Sequence, residues 1–162
     1  MGILTAEMRR VVGEQRLGFA ATVCPDGTPN LSPKGTTRVW DDDHLVFANI
    51  CSPGTVANLR ANPAIEINVV DAAVRKGYRF KGTATVLTAG PLYERIMEAY
   101  RTEYGLEPEF YRRIDGVVLI AVERAAPLIS PAYDAGATED EVGRPWLQYW
   151  ETLWAERAHR RA

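Results

Sequence analysis

The chain is poor in the side chains that most metal sites and nucleophilic mechanisms require. Of its 162 residues, two are cysteines and two are histidines. Cys24 and Cys51 have no CxxC spacing and no histidine close by, which argues against a redox pair or a metal site. His44 follows three aspartates in a predicted turn and His159 lies in the tail, so a histidine-based catalytic arrangement is hard to build. The sequence therefore predicts two free thiols and no metal ion.

A long apolar run and a strong charge imbalance are also absent. The formal net charge is −2 at pH 7, which argues against general nucleic-acid binding. The basic cluster at residues 157–161 is interpreted as a solvated helix end. The first residues contain no long apolar run, so we expect neither a signal peptide nor a membrane span there. We expect one domain covering residues 1–162, in the cytoplasm, with neither nucleic acid nor membrane as a partner.

A tight hairpin is predicted at the start of the most informative stretch, residues 26–82. Asp26 and Gly27 lie between two apolar runs, and glycine accepts the positive φ that such turns require. The paired strands are predicted at Leu17 to Val23 and at Pro29 to Val39.

A short helix with an anion-binding start is predicted after the next strand. Ser52 followed by Pro53 is typical of an N-cap, and Asn62 before Pro63 marks the end of the helix. A helix start presents unpaired N–H groups and a partial positive charge, and the hydroxyls of Ser52 and Thr55 lie beside it. These features predict a site for an anion such as a phosphate group.

Two cations on the preceding strand are candidates for the same anion. Lys34 and Arg38 are separated by an even number of residues, so in regular strand geometry they share a face. The alternative is that both are solvated surface residues and that the helix is an ordinary connector.

The remaining elements are predicted from hydrophobic periodicity and capping residues. They are an amphipathic helix at about 5–15 with Thr5 as N-cap, strands at Ile65 to Val70 and Phe80 to Leu87, a helix at Pro91 to Tyr104 stopped by Gly105, a central strand at Gly116 to Val122, and a helix at about 138–158 with a capping box of Thr138 and Glu141.

The last helix places Trp146, Trp150 and Trp154 at positions i, i+4 and i+8. As core residues they would attach this helix to its own domain. As interface residues they would bury an aromatic surface against a second copy of the chain. The sequence leaves the role of this stripe open.

Taken in order, these segments resemble the FMN-binding split β-barrels related to pyridoxamine 5′-phosphate oxidase. The resemblance covers about residues 17–133 and rests on PNLSPKG at 29–35, LVFAN at 45–49, SPGTVANLRANP at 52–63 and YRFKGTA at 78–84, with a weaker match in SPAYDAGATEDE at 130–141. It implies a mainly β, α+β fold: a six-stranded antiparallel split β-barrel with Greek-key connections and peripheral helices.

The resemblance also implies a cofactor site and a subunit arrangement. The expected cofactor-binding residues are Ser32, Lys34, Gly35, Arg38, Asn49, Ser52, Thr55, Asn58 and Arg79. Arg79 alternates with aromatic residues, so its face points either to the cleft or to solvent. A homodimer with the flavin at the subunit interface is expected, and Tyr111 and Tyr133 are candidates for lining the cleft or for ordinary wall positions.

Two departures from the founding oxidase limit what the resemblance implies. The helix start has Gly54 and Thr55 where that enzyme is rich in Arg and Lys, so phosphate binding would depend more on backbone N–H groups and hydroxyls. The tail at 143–162 lacks the Arg-Leu-containing ending that helps to hold pyridoxine phosphate there. FMN binding is less affected by these departures than vitamin B6 activity.

The leading functional hypothesis is an FMN-dependent oxidoreductase that passes hydride or electrons through flavin N5 to a small-molecule acceptor. Its catalytic residues are unknown, and the sequence does not identify the substrate. One alternative is a flavin carrier or sensor without turnover. Another is a deazaflavin (F420)-dependent reductase, or a haem protein, on the same fold, although the two histidines are poorly placed as haem ligands.

Overall fold

A computed structural model describes residues 2–160, which form one antiparallel sheet with helices around it. The helices are α1 Ala6–Gln15, α2 Pro53–Ala61, α3 Pro91–Thr102, α4 Pro108–Tyr111 and α5 Glu139–His159, with a 3₁₀ helix at Pro131–Ala135. The strands are β1 Gly18–Val23, β2 Pro29–Lys34, β3 Arg38–Val39, β4 His44–Asn49, β5 Ala64–Asp71, β6 Lys76–Leu87 and β7 Gly116–Ile129. The prediction of an α+β fold built on an antiparallel sheet is confirmed, and helices contribute about as many residues as strands.

The sheet bends into a half-barrel, consistent with the expected split barrel. Its strand order is β2-β1-β5-β6-β7-β4-β3, and each hydrogen-bonded pair is antiparallel. The two outermost strands in this order, β2 and β3, are separated in sequence by residues 35–37 alone. Because so short a connection holds the two edges close together, the sheet must curve.

The prediction of six strands is wrong, because the strand expected at Pro29 to Val39 is broken in two. Thr37 turns the chain back: both its N–H and its hydroxyl donate to the carbonyl of Lys34, at 3.3 and 2.9 Å. Thr36 exchanges hydrogen bonds with the backbone of Ala48 on β4. A Cβ on Gly18 would lie 2.7 Å from Thr37 Oγ1, so the turn also needs glycine on β1. The described chain therefore has seven strands.

The predicted hairpin between β1 and β2 is confirmed. Gly27 has φ 84°, and its N–H donates to the carbonyl of Cys24 at 2.9 Å. The Asp26 carboxylate accepts from the N–H of Thr28 at 3.0 Å. Local turn chemistry was therefore sufficient to predict this element.

The capping residues predicted for the first and last helices act as expected. Thr5 accepts from the N–H of Met8 at the start of α1, and the capping box of Thr138 and Glu141 is formed at the start of α5. The C-cap residue of α1 is Arg16, which adopts a left-handed conformation with φ 52°.

Two hydrophobic clusters are found among residues 2–160. The larger lies within the curved sheet and under α1, and includes Phe47, Ile67, Phe80 and Ile120. The smaller lies between the sheet and α3, where Tyr100 is buried. The segment Gly116 to Val122, predicted as a central strand, forms the first half of β7 between β6 and β4.

Helix α5 contacts the domain through its N-terminal half. The Arg75 guanidinium lies 3.6 Å from the centroid of the Trp146 ring, and Lys76 pairs with Glu139 at 2.8 Å. Trp150 and Trp154 are 38% and 63% exposed, so the interpretation of the whole stripe as core is wrong. Within residues 2–160, no helix has both the length and the apolar character needed to cross a bilayer.

Candidate functional site

A cleft with a cavity volume of about 590 Å³ opens where β2 ends and α2 begins. Its polar wall is formed by Ser32, Lys34 and Ser52, and its apolar wall includes Leu106 and Phe110. Gly35 also lines it, and a Cβ at this position would meet nothing within 4 Å. The cleft therefore combines an apolar wall with a few polar groups, which is typical of small-molecule sites.

Lys34 supplies a buried positive charge at the polar end. The residue is 4% exposed, and its ammonium donates to the hydroxyls of Ser32 and Ser52 at 2.5 and 2.6 Å. Among residues 2–160 it forms no ion pair with a carboxylate. Burial lowers the pKa of Lys34, because the charged form loses hydration. A buried cation without an anionic partner is an unfavourable arrangement that a bound anion would relieve.

The start of α2 adds a second source of positive potential. Ser52 is the N-cap residue, but its hydroxyl accepts from Lys34 and makes no capping bond to the helix. Gly54 lies in the first turn, where N–H groups have no intrahelical partner. The helix dipole and the ammonium of Lys34 therefore act in the same region.

Asn49 holds the loop before α2 and does not line the cleft. Its amide donates to Asp115, and its side-chain oxygen accepts from the N–H of Ser52 at 3.2 Å. The side chain thereby positions Ser52, which is an indirect role in the site.

Thr55 and Asn58 also point away from the cleft, into a buried polar network between α2 and the β1–β2 hairpin. The Asn30 amide donates to Thr22 and Thr55 at 3.0 and 3.3 Å, and Asn58 donates to Thr22 at 3.1 Å. These bonds attach the helix to the β1–β2 hairpin, whose strand β2 ends in the cleft. Sequence reasoning missed Asn30 and Thr22, although Asn30 stands two residues before Ser32 on the same face of β2.

Arg38 does not converge with Lys34 on the cleft. The premise of one regular strand is wrong here, because β2 ends at Lys34 and the chain turns before β3. The guanidinium of Arg38 instead lies 5.7 Å from the centroid of the Tyr104 ring and lines a separate cleft.

Arg79 is exposed on the outer face of β6. It pairs with Glu66 on β5 at 3.3 Å, and Lys81 pairs with the same carboxylate at 3.3 Å. This arrangement corresponds to the solvent-facing alternative for the basic face. Tyr133 donates to the carbonyl of Val74 at 2.6 Å, away from the Lys34 cleft.

Several lining residues could not be found from the sequence. Leu106 and Phe110 lie on the connection between α3 and β7, far along the chain from Lys34. Cys51 also lines the cleft, where its sulfur accepts from Arg113 at 3.1 Å. Tyr111, a candidate either for lining the cleft or for an ordinary wall position, packs against the smaller hydrophobic cluster. Leu106 and Phe110 reach the cleft only through the long connection between α3 and β7, and no local pattern in the sequence indicates this.

Comparison with known proteins identifies the family. Residues 4–126 match the sequence profile of pyridoxamine 5′-phosphate oxidase. The chain belongs to this family. The match confirms the resemblance found in the sequence motifs, whereas no functionally curated protein matches the chain.

Several solved structures share the fold. HupZ of Group A Streptococcus is 35% identical, with a TM-score of 0.67 over 78% of this chain and 94% of that chain. An FMN-binding protein from Syntrophomonas wolfei subsp. wolfei is 18% identical, with a TM-score of 0.61 over 76% of this chain and 85% of its own. A structure described as an F420 reductase is 20% identical, with a TM-score of 0.56 over 75% of this chain and 98% of its own. The last two similarities concern the fold alone.

Proposed function

We propose that the Lys34 cleft binds FMN and that the protein is an FMN-dependent oxidoreductase. The observation that supports this most is the buried ammonium of Lys34, which has hydroxyl partners and no carboxylate partner in residues 2–160. A further support is the FMN-binding protein that shares the fold.

The donor set fits an anionic, ring-bearing cofactor. Lys34 and the hydroxyls of Ser32 and Ser52 offer N–H and O–H donors, and the start of α2 offers backbone N–H groups. Leu106 and Phe110 provide an apolar wall of the kind that a flat aromatic ring requires. The residues present therefore suit FMN without the Arg-rich and Lys-rich helix start of the founding oxidase.

FMN would supply the electron chemistry, since its ring accepts and donates hydride equivalents. The protein residues would bind and orient the ring, exclude water and stabilise negative charge. Lys34 would stabilise an anion most strongly, because its ammonium is shielded from solvent. The apolar wall would limit the access of water to the ring. No dedicated protein nucleophile is required in this proposal.

We also propose that the protein is a homodimer with the flavin at the subunit interface. The outer face of the β1–β2 hairpin is formed by apolar residues throughout, namely Phe19, Ala21, Val23, Pro29, Leu31 and Pro33. Leu31 is 66% exposed, and Phe19 and Val23 are 42% and 40% exposed. A continuous apolar face of this kind favours contact with a second copy.

Release of the bound cofactor tests the proposal directly. The purified protein is denatured, and the absorption spectrum and mass of any released compound are recorded. FMN is the expected result. A protein that is empty and also takes up no added FMN would overturn the proposal.

A deazaflavin is the second candidate, because a structure described as an F420 reductase shares the fold and both cofactors combine a flat ring with a phosphate group. The same release experiment separates the two by mass. Turnover with NADH or NADPH and an acceptor then separates an oxidoreductase from a flavin carrier or sensor. If no more than one equivalent of NADH or NADPH is oxidised per bound FMN, the result would favour a flavin carrier.

A further inference from the structure

A second cleft, with a cavity volume of about 400 Å³, lies between the end of α1, strand β3 and the residues that follow α3. Three arginines line it: Arg9 and Arg16 from α1 and its C-cap, and Arg38 from β3. The single acidic lining residue is Glu103. The cleft is therefore rich in positive charge, and its volume is within the usual range of small-molecule sites.

Two of these guanidinium groups have no acidic partner in the part of the chain that the structure describes. Arg9 pairs with Asp42 at 2.5 Å, whereas Arg16 and Arg38 form no ion pair. Arg16 donates through Nε to the carbonyl of Gly13 at 3.3 Å. Arg38 donates through Nη1 to the carbonyl of Thr37 at 2.6 Å. Since a guanidinium has five N–H donors, most of the donors of both residues remain available to a ligand.

Arg38 is fixed in place before any ligand arrives. It is partly buried, it lies over the Tyr104 ring, and the Tyr104 hydroxyl donates to the carbonyl of Val39 at 3.1 Å. Burial is the main cause that lowers the pKa of Arg38, and the charge of Arg16 lowers it further. Arg16 and Arg38 line the same cleft, and an anion bound there would reduce the repulsion between their two positive charges.

We propose that Arg16 and Arg38 form an anion site for a diphosphate group, separate from the Lys34 cleft. Guanidinium groups bind phosphate oxygens through paired N–H donors, and two of them in one cleft suit a ligand with several charged oxygens. At Gly13, a Cβ would meet nothing within 4 Å, so this wall leaves room for a ligand. The proposal does not depend on flavin binding.

Isothermal titration of the full chain with pyrophosphate tests the site. Lys34→Met is included because the Lys34 cleft is a competing anion site. The wild type and the Lys34→Met variant are expected to bind pyrophosphate with similar affinity. The double variant Arg16→Asn/Arg38→Gln should bind at least about tenfold more weakly, because charge-assisted hydrogen bonds are lost. Arg124→Gln, an exposed arginine on β7, is the control and should bind like the wild type.

Several results would overturn the proposal. One is the absence of binding to the wild type, another is unchanged affinity in the double variant, and a third is loss of binding in Lys34→Met alone. Circular dichroism checks that each variant folds. If Arg38→Gln prevents folding, the pyrophosphate affinity of the single variant Arg16→Asn tests the proposal instead. Arg16 is exposed and asparagine tolerates its φ of 52°, so this variant should fold.

Titration with ADP and with inorganic phosphate identifies the source of the diphosphate. Tighter binding of ADP than of pyrophosphate would indicate a nucleotide whose base or ribose contacts the cleft. Equal or weaker binding of ADP would indicate a free diphosphate. Inorganic phosphate should bind more weakly than either, because it has fewer charged oxygens for the two guanidinium groups.

Discussion

The ammonium Nζ of Lys34 lies 2.6 Å from the hydroxyl Oγ of Ser52, which is 18 residues further along the chain. This contact joins the last residue of β2 to the N-cap of α2. It places the charge of a buried lysine and the positive end of a helix dipole at the same end of one cleft. It also diverts the Ser52 hydroxyl from capping its own helix, which leaves first-turn N–H groups available.

Lys34→Met should weaken FMN binding by about tenfold to a hundredfold, since a charged hydrogen bond contributes about 1.5–3 kcal/mol. Titration of cofactor-free protein with FMN, followed by quenching of flavin fluorescence, measures the change. Lys81→Met is the matched control, because Lys81 is exposed and pairs with Glu66 on the outer sheet face. Equal affinity in the two variants would exclude Lys34 as a cofactor ligand.

The affinity for FMN should fall at alkaline pH, and the fall should begin at a lower pH than the ordinary pKa of a solvated lysine would predict. Burial lowers the pKa of Lys34, so its ammonium loses the proton below the ordinary pKa of a lysine. Anion binding needs the protonated form, so affinity is highest below the lowered pKa and decreases as the pH rises through it. The phosphate is already dianionic above about pH 7 and does not contribute to this change.

Lys34→Arg provides the control for this pH dependence, because arginine stays protonated throughout the range. Flavin titrations between about pH 7 and pH 10 should show a decline in the wild type and a flatter profile in the variant. An identical decline of FMN affinity with pH in both proteins would mean that a group other than Lys34 titrates.

Short-range chemistry explains which parts of the fold were predictable. The turn at Gly27, the N-cap at Thr5 and the capping box at Thr138 each depend on residues within a few positions, and each formed as predicted. The turn that separates β2 from β3 combines local bonds from Thr37 to Lys34 with hydrogen bonds between Thr36 and Ala48 on another strand, and the latter are not visible in a local pattern. Its effect on Arg38 therefore could not be derived from regular strand spacing.

The candidate site shows the same division. Ser32, Lys34, Gly35 and Ser52 were predicted and line one cleft. Leu106 reaches this cleft through tertiary packing of a long connection, and no periodicity in that segment indicates it.

Gly82→Ala should destabilise the protein by at least about 2 kcal/mol, because overpacking against backbone cannot be relieved by a rotamer change. A Cβ at this position would lie 2.0 Å from the carbonyl oxygen of Ala121 on the paired strand β7. The pairing of β6 with β7 has a register shift at this point, between Lys81 and Gly82. Gly54→Ala is the control, since a Cβ there meets nothing within 4 Å and lies in α2. It should be neutral or stabilise by about 0.5 kcal/mol. Urea unfolding of the cofactor-free proteins measures both changes, and similar midpoints for the two variants would contradict the close strand approach.

Leu31→Lys should convert the proposed dimer into a monomer. Leu31 lies at the centre of the apolar outer face of the β1–β2 hairpin, and a lysine there would need to be desolvated at an interface. Light scattering after size-exclusion chromatography measures the mass. FMN affinity should fall together with dimerisation, because the proposed flavin site includes both subunits. The comparison variant is Trp154→Lys, on the exposed end of α5. If Trp154→Lys dissociates the dimer and Leu31→Lys does not, the interface involves the tryptophan stripe and not the hairpin face. A monomeric wild type would exclude both surfaces.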